Sequence, residues 1–324
     1  MRVRQVALFA FTALLALGAL DPAQSQTWPQ RPVTVVVPFA AGGNTDGIGR
    51  SIAQWLSDRL GQQFVVENRG GAGGAIAAEM VAKAPADGYT LFVAALPQIA
   101  IVPAISQTRY DPVKDFAPIS VVGTNPFVLA VNKDVPVKSV PEFIDYVRKA
   151  PQPLSYASAG IGSLNHLSMA LFLKFAGIDM IHVPYKGNAP AMSDVVAGHV
   201  PAIFTNLSDA LPQAAAGSIR LIGVSSETRA AQIPGVPTVA EQGFPTFKTR
   251  TWNALMAPAK TDPAIIARVA TEVAAAAKDP GFDERLNHLG VDPLGNSPAE
   301  FAALIAADIP FWAEAVRVAG VKEQ

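Results

Sequence analysis

The sequence predicts an α/β fold made of two lobes with a ligand cleft between them. Patterns typical of strands and helices alternate along the chain, as in parallel sheets covered by helices. Two strand-to-helix junctions are rich in glycine and small residues: residues 38–46 and residues 158–163. Glycine lets the backbone approach a ligand closely, and the first turn of a helix offers N–H groups without intrahelical partners. Each junction is therefore a candidate anion site, and two such sites indicate a cleft between lobes.

The first lobe begins with a strand, a loop and a helix. Ile48, Ile52 and Leu56 fall at helical spacing after the loop, and Gly61 is placed to end the helix. The elements predicted up to residue 100 are strand 33–37, the helix that ends at Gly61, strand 64–66, helix 76–84 and strand 91–93.

The middle of the chain repeats this alternation and predicts a second lobe. Ser139 and Pro141 are residue types that favour the start of a helix. The elements predicted here are strand 128–131, helix 140–150, strand 154–157, helix 164–175, strand 181–183, helix 190–197, strand 202–204 and strand 221–224.

The C-terminal part is predicted to return to the first lobe. Segment 233–245 is rich in Pro and Gly and is typical of a connection. Strand 254–257, helices that begin near Asp262 and Pro280, and a long helix over 298–319 follow it. The first lobe then comprises residues 26–124 and 250–324, and the second comprises residues 125–249. The two crossings, near Thr124 and near Thr249, are expected to act as a hinge.

The first 25 residues have the pattern of a cleaved signal peptide. Arg2 and Arg4 precede an apolar stretch over residues 6–20, and Ala23-Gln24-Ser25 supplies small residues at the spacing that signal peptidase reads. The apolar stretch is shorter than the roughly 20 residues that a membrane span needs. We therefore expect cleavage before Gln26 and, in a bacterium, a periplasmic protein.

Composition excludes several classes of protein. The chain has 324 residues and no cysteine, which excludes a disulfide scaffold, a thiol nucleophile and a lipid-modified cysteine. Its net charge is −1, and no run of basic residues is interleaved with aromatic ones. Nucleic acid is therefore not an expected partner. The four histidines lack the spacing of metal ligands, and no metal site is predicted.

Six short motifs follow one another along the chain. They are P-F-A-A-G-G-x-T-D at 38–46, V-E-N-R at 66–69 with glycines at 73–74, D-G-Y-T at 87–90, S-A-G at 158–160 with G-S at 162–163 and H-L at 166–167, V-P-Y-K-G at 183–187, and P-G-V-P-T-V at 234–239. With these motifs the chain resembles the Bug (TctC-like) solute-binding receptors of tripartite tricarboxylate transporters. The resemblance covers nearly the whole mature chain and implies a periplasmic binding protein type II-like fold that closes on a small carboxylate and delivers it to a membrane permease. It implies no catalysis and no cofactor.

The resemblance also implies a set of ligand-binding residues. One ligand carboxylate is expected on backbone N–H groups of the first loop, with Asp46 as helix cap and holder of a bridging water. Lys186 is a candidate positive charge, and Tyr185 and Asn206 are candidate side-chain donors. The full set is Phe39, Ala40, Ala41, Gly42, Gly43, Asn44, Thr45, Asp46, Ser158, Gly160, Gly162, Ser163, His166, Tyr185, Lys186 and Asn206.

Several of these residues, and also Trp252, have a purely structural alternative. Asp46 could only cap a helix, and His166, at the start of an apolar helix, fits a structural hydrogen-bonding role. Tyr185 and Lys186 could shape a turn, and Trp252 suits a ligand-stacking wall or a core position equally. At the level of the whole protein, a periplasmic sensing subunit is an open alternative. An enzyme is disfavoured because no G-x-S-x-G motif surrounds the candidate serines.

Two departures from the family pattern bear on the ligand. After strand 91–93 the chain has Ala-Ala-Leu-Pro-Gln at 94–98, where many relatives place hydroxyl residues. Before Asn206 stands Thr205, where relatives often have Asp. Both changes favour a monocarboxylate or dicarboxylate with an apolar or aromatic body over citrate.

Overall fold

A computed structural model describes residues 28–321 and shows a mixed α/β fold of two lobes. The predicted signal peptide lies outside these residues. Among them no helix combines the length and the apolar character of a membrane span. The strands are β1 Val33–Val37, β2 Phe64–Asn68, β3 Thr90–Ala95, β4 Phe116–Asn132, β5 Ser155–Ser158, β6 Ile181–Pro184, β7 Ala202–Asn206, β8 Ile219–Val224, β9 Arg250–Pro258 and β10 Asp292–Pro293.

Most of the strands are followed in sequence by a helix. A 3₁₀ turn, Ala72–Gly74, precedes the second helix, and a π-helical turn, Pro97–Ile101, precedes the third. The α-helices are α1 Asn44–Leu60, α2 Ala75–Ala82, α3 Val102–Ile105, α4 Val140–Lys149, α5 Leu164–Ala176, α6 Asn188–Val196, α7 Leu207–Ala215, α8 Pro263–Ala276, α9 Pro280–His288 and α10 Pro298–Val318.

The long strand β4 belongs to both lobes. Its first part pairs antiparallel with β9 as far as Pro126, and its second part pairs with β7 and β8 from Phe127 and Val128 onward. The first sheet has the order β2-β1-β3-β9-β4, and the second runs β4-β7-β5-β6 with β8 also on β4. The predicted crossings near Thr124 and Thr249 lie on β4 and immediately before β9.

Parallel strands at the centre of each lobe explain where a site can form. β1 lies between β2 and β3, and β5 lies between β6 and β7, all of them parallel. Strands covered on both faces need continuous apolar residues, which is why Val33, Val35, Val36 and Val37 are all fully buried. The loops that leave the carboxyl ends of parallel strands meet at one edge of each sheet.

The final helix packs against both lobes. A continuous apolar core joins Phe92 of β3, Phe127 of β4 and Phe172 of α5 with Phe301 and Trp312 of α10. An ion pair between Lys174 of α5 and Glu314 of α10, 3.1 Å apart, lies at the same junction. The sequence predicted that this helix returns to the first lobe; its packing on α5 of the second lobe is an additional finding.

Prolines account for the clearest differences from the predicted elements. The prediction placed a strand at 128–131, but β4 has 17 residues and contains Pro118 and Pro126. Its register shifts between Pro118 and Ser120, an irregularity that accommodates a residue without an N–H. Helix α7 was not predicted and contains Pro212.

Candidate functional site

A cavity of about 680 Å³ lies between the two lobes. Each of the parallel strands contributes residues at or beyond its carboxyl end. From the first lobe these are Phe39 after β1, Ala72 and Gly73 after β2, and Ala95 and Pro97 at the end of β3. From the second lobe they are Ala159 to Asn165 after β5, Asn188 after β6, and Asn206 at the end of β7.

Helices α1, α5, α6 and α7 begin at this cavity. Asn44 and Thr45 are the first two residues of α1, Asn188 is the first residue of α6, and both helices contribute to the lining. Ser163 and Asn206 are the N-caps of α5 and α7. A helix N-terminus carries unpaired N–H groups and the positive end of the helix dipole, so their convergence from both lobes favours an anion.

None of the described residues that line the cavity carries a charged side chain. The groups of positive polarity at the lining are therefore backbone N–H groups and helix N-termini. Nor does the part of the chain that the structure describes bring three or more His, Asp or Glu side chains together as a possible metal site. The cavity therefore suits a small anion held by hydrogen bonds.

The carboxylate of Asp46 fixes the first loop from behind. Its oxygens accept hydrogen bonds from the backbone N–H of Gly42 at 2.8 Å, Nε of Arg50 at 2.9 Å and Nδ2 of Asn68 at 2.9 Å. Burial opposes ionisation of Asp46, but the hydrogen bonds from Arg50, Gly42 and Asn68 outweigh it and lower its pKa. The N-cap of α1 is Gly43, so Asp46 reaches back from the third helical position and is absent from the cavity lining.

A chain of asparagines anchors the start of α1. Nδ2 of Asn44 donates to the Leu289 carbonyl at 2.8 Å, and Oδ1 of Asn44 accepts from Nδ2 of Asn125 at 3.1 Å. Nδ2 of Asn253 donates in turn to Oδ1 of Asn125 at 3.3 Å. The side chain of Asn44 is thereby occupied, and the first turn of α1 lines the cavity through Asn44 and Thr45. Sequence reasoning missed Asn125 and Asn253.

Two glycines with positive φ shape the second loop. Gly160 has φ +132° and Gly162 has φ +74°, which L side chains rarely adopt. The Gly160 N–H donates to Oγ of Ser158 at 3.1 Å, and the Gly162 N–H donates to Nδ1 of His166 at 3.1 Å. Ser163 caps α5 by accepting the N–H of His166.

Asn188 links the first turns of three helices. Its Oδ1 accepts from Nδ2 of Asn165 on α5 at 2.9 Å, and its Nδ2 donates to Oγ1 of Thr205 at 3.1 Å and to Oδ2 of Asp209 on α7 at 2.8 Å. Desolvation raises the pKa of Asp209, although hydrogen bonds from Asn206 and Asn188 oppose the rise. The sequence signal that could have revealed Asn188 is its place directly after V-P-Y-K-G, at the start of a helix.

The structure brings only part of the predicted set to the cavity. Phe39, Asn44, Thr45, Gly160, Gly162, Ser163 and Asn206 line it. Ala40, Ala41, Gly42 and Gly43 are exposed and lie outside the described lining, as does exposed Lys186.

The remaining predicted side chains have partners elsewhere. The hydroxyl of Tyr185 donates to Asp194 at 2.6 Å; desolvation and this bond raise the pKa of Tyr185 to about 12. Ser158 is fully buried and His166 nearly so, both behind the second loop. Trp252 is a buried core residue whose Nε1 donates to Asp308 at 2.7 Å.

One wall of the cavity is apolar. It consists of Ala95, Pro97, Ile101, Val102 and Ile105 from the end of β3, the π-helical turn and α3. Buried Gln98 fixes this wall, because its Oε1 accepts the Ala95 N–H at 3.0 Å and its Nε2 donates to the Gly73 carbonyl at 2.6 Å. The predicted apolar stretch 94–98 thus reaches the cavity through Ala95 and Pro97.

Two α/β lobes that meet at a cavity lined by helix N-termini define a solute-binding protein. The chain belongs to the tripartite tricarboxylate transporter receptor family, TctC, whose family model matches residues 48–320. It is 35% identical to BugT of Bordetella pertussis over 322 residues, which cover 98% of this chain and 97% of BugT.

Solved structures of relatives share the fold. R. palustris Rpa4515 with adipate is 38% identical with a TM-score of 0.80, and the match covers 92% of this chain and 100% of Rpa4515. MatC of Rhodopseudomonas palustris with bound malate is 34% identical with a TM-score of 0.74, and the match covers 89% of this chain and 100% of MatC. These likenesses confirm the predicted family and fold class.

Proposed function

We propose that this protein captures a small dicarboxylate with an apolar body and delivers it to a membrane permease of the tripartite tricarboxylate type. The observation that carries the proposal is the composition of the cavity. Helix N-termini from both lobes surround a space whose described lining has no charged side chain, and an apolar wall lies beside them.

Each carboxylate would be bound by the backbone of one lobe. In the first lobe the donors are the N–H groups of Asn44 and Thr45. In the second lobe they are those of Leu164 and Asn165, together with the amide of Asn206. A hydrogen bond to a charged group contributes about 1.5–3 kcal/mol, and a helix N-terminus adds about 0.3–1 kcal/mol. A few such bonds and burial of the ligand body suffice for a micromolar dissociation constant, about 8 kcal/mol.

The relatives support a ligand with two carboxylates. Rpa4515 has been solved with adipate and MatC with malate, and both are dicarboxylates. The apolar wall formed by Ile101, Val102 and Ile105 suits the methylene chain of a molecule such as adipate better than the hydroxyl and three carboxylates of citrate. Adipate is therefore the probe expected to bind most tightly.

The proposed place of work is the periplasm. The basic start, the apolar stretch and Ala23-Gln24-Ser25 support export with cleavage before Gln26. Mass spectrometry of the protein from a periplasmic extract should find Gln26 at the N-terminus. Recovery of a chain that keeps residues 1–25 would contradict this.

A thermal-shift screen of the mature protein tests the ligand class. Adipate, malate, benzoate and citrate, with a neutral sugar as control, should give the largest rise in melting temperature for adipate, because a ligand that binds only the folded state stabilises it by mass action. Calorimetry should then give a dissociation constant on the order of micromolar. If the sugar raises the melting temperature and no carboxylate does, the proposal is wrong.

A further inference from the structure

Two histidine rings stack directly behind the second-lobe loop. The imidazoles of His166 on α5 and His182 on β6 lie 3.8 Å apart between ring centroids, with 6° between their planes. The ring of Tyr156 lies beside this pair, with its centroid 5.0 Å from that of His182 and 6.4 Å from that of His166. The two histidines are 16 positions apart in sequence and come from different elements, so only the fold brings them together.

Both rings hold the backbone of the loop. Nδ1 of His166 accepts the Gly162 N–H at 3.1 Å. Nε2 of His182 lies 2.6 Å from Oγ of Ser158, and that oxygen accepts the Gly160 N–H at 3.1 Å. Gly160 and Gly162 both line the ligand cavity, whereas His166 and His182 do not.

We propose that His166 is a positioning residue for the ligand site: its neutral ring holds the loop 158–163, and its protonation releases the Gly162 N–H and weakens carboxylate binding. The bond exists only while Nδ1 carries no proton, which places the ring proton on Nε2. A doubly protonated imidazole has no acceptor, so the Gly162 N–H then loses its partner. Gly162 precedes Ser163, the N-cap of α5, and its displacement moves the helix N-terminus that faces the ligand.

His182 cannot play the same part. Nε2–H of His182 can donate to Oγ of Ser158 while the hydroxyl donates to the Gly160 carbonyl, 3.1 Å away, so protonation of His182 leaves these bonds intact. Because the two rings are stacked, a positive charge on His182 instead makes protonation of His166 less favourable.

The surroundings keep His166 neutral at neutral pH. Burial, and to a smaller extent the neighbouring His182, lower the pKa of His166 to about 4. Burial also lowers the pKa of His182. Other titratable or charged groups share the cavity on which His166 opens: Tyr156 on β5, Lys174 on α5, Asp179 before β6 and Arg317 on α10. Lys174 and Arg317 are both paired with Glu314.

The first arm of the test needs no ligand. In the mature protein labelled with ¹⁵N-glycine and ¹³C-histidine, the Gly162 amide resonance should shift with pH at the same midpoint as the His166 ring. In His166→Asn the amide oxygen replaces Nδ1 as acceptor and does not titrate, so the Gly162 resonance should stay constant. If the Gly162 resonance of the wild type does not shift while the His166 ring titrates, the proposal is overturned.

The second arm rests on the proposed function and measures adipate affinity between pH 7 and pH 3, a range that extends below the midpoint expected for His166. Adipate itself takes up protons in this range, so variants are compared at each pH. His166→Asn should bind like the wild type at pH 7 and about tenfold more tightly than the wild type below the midpoint of the His166 titration. His166→Leu, which has no acceptor, should bind about tenfold more weakly at pH 7. His288→Asn, an exposed histidine on α9, should follow the wild type throughout.

The two arms separate two kinds of failure. Parallel pH profiles for the wild type and His166→Asn would overturn the role of His166 while leaving adipate as a ligand. If adipate binds none of the proteins, the proposed ligand class fails, and the resonance of Gly162 still decides whether His166 holds the loop.

Discussion

Nδ2 of Asn188 donates a hydrogen bond of 2.8 Å to the carboxylate of Asp209 and so ties the first turn of α6 to the first turn of α7. Asn188 lines the ligand cavity, whereas Asp209 is outside the described lining. The amide of Asn188 donates a hydrogen bond to the carboxylate of Asp209 and adds no negative charge to the cavity lining. The identity of residue 188 should therefore decide whether an anion can enter.

Asn188→Asp is predicted to weaken adipate binding at least tenfold at pH 7. The new carboxylate would lie next to the carboxylate of Asp209 and at the cavity that the ligand enters, and it would repel both negative charges. Ser193→Asp adds the same charge to the exposed side of α6 and serves as control, with an expected change below about twofold. Calorimetry on both variants measures the difference, and equal affinities would contradict the assignment of Asn188 to the site.

Asp46 is predicted to stabilise the fold at neutral pH but not in acid. Its pKa is lowered in the folded protein, so its contribution is present above the ordinary carboxyl pKa, about 4, and is lost as the pH falls through the folded value. Asp46→Asn should lower the free energy of unfolding by about 1–3 kcal/mol at pH 7 and by much less at pH 3.

Urea denaturation at the two pH values measures this effect. Asp58→Asn, an exposed residue later in α1, is the matched control and should change the free energy of unfolding by less than about 0.5 kcal/mol. A loss of stability in Asp46→Asn that is equal at both pH values would show that the ionised carboxylate is not responsible.

Gly43→Val is predicted to block the ligand without disturbing the fold. Gly43 has φ −83°, and an added Cβ would meet only the Ala40 carbonyl oxygen at 3.7 Å. A bulky side chain at the N-cap of α1 would nevertheless hinder a carboxylate on the first turn, with an expected cost of about 3 kcal/mol or more, roughly 100-fold in affinity. Lys186→Ala should change affinity by less than about twofold. Near-normal calorimetric affinity in a folded Gly43→Val variant would contradict this use of the first loop.

Local patterns predicted those residues of the cavity lining that lie within one strand, loop and helix. Asn44, Thr45, Gly160 and Ser163 stand at helix starts, where glycines and capping residues mark both the conformation and the anion-binding potential. Tertiary pairings could not be predicted in this way. Nδ2 of Asn125 donates a hydrogen bond to Oδ1 of Asn44, which lies 81 positions away in the sequence. Nothing in the sequence around either residue indicates this partner.

The same limit explains the predicted residues that the cavity lining leaves out. Tyr185 and His166 have polar groups near glycine-rich loops, and sequence reasoning cannot tell whether such a side chain faces the ligand or supports the loop. In the structure the hydroxyl of Tyr185 donates to Asp194, and Nδ1 of His166 accepts the Gly162 N–H. Both side chains therefore have protein partners, and both lie outside the described cavity lining. The length of β4 was missed because Pro118 and Pro126 are usually strand breakers, whereas its pairing with β9 accommodates both.

Ligand binding is predicted to make the protein more compact. Donors on α1 and on α5 belong to different lobes, and a dicarboxylate that meets both favours the closed arrangement. Small-angle scattering should show a smaller radius of gyration at saturating adipate. The Gly43→Val variant under the same conditions is the control and should keep the larger radius. An unchanged radius for the wild type at saturation would contradict closure.

The apolar wall is predicted to select the body of the ligand. Ile105 is partly buried and lines the cavity beside Gly162, where its Cδ1 would lie 3.1 Å from an added Cβ. Ile105→Ser removes apolar surface that would contact the four methylene groups of adipate, so affinity for adipate should fall by about 1 kcal/mol, roughly fivefold. Malate has a single methylene group, and its affinity should change less.

The comparison of adipate with malate separates the effect of the apolar wall on affinity from the effect of the carboxylate-binding groups. Val113→Ser replaces an exposed apolar residue outside the described lining and should leave both affinities unchanged. In competition titrations with the wild type, adipate should displace citrate, because citrate adds a third carboxylate and a hydroxyl to a cavity with an apolar wall. Citrate as the tighter ligand, or an equal loss for adipate and malate in Ile105→Ser, would show that the wall does not contact the ligand body.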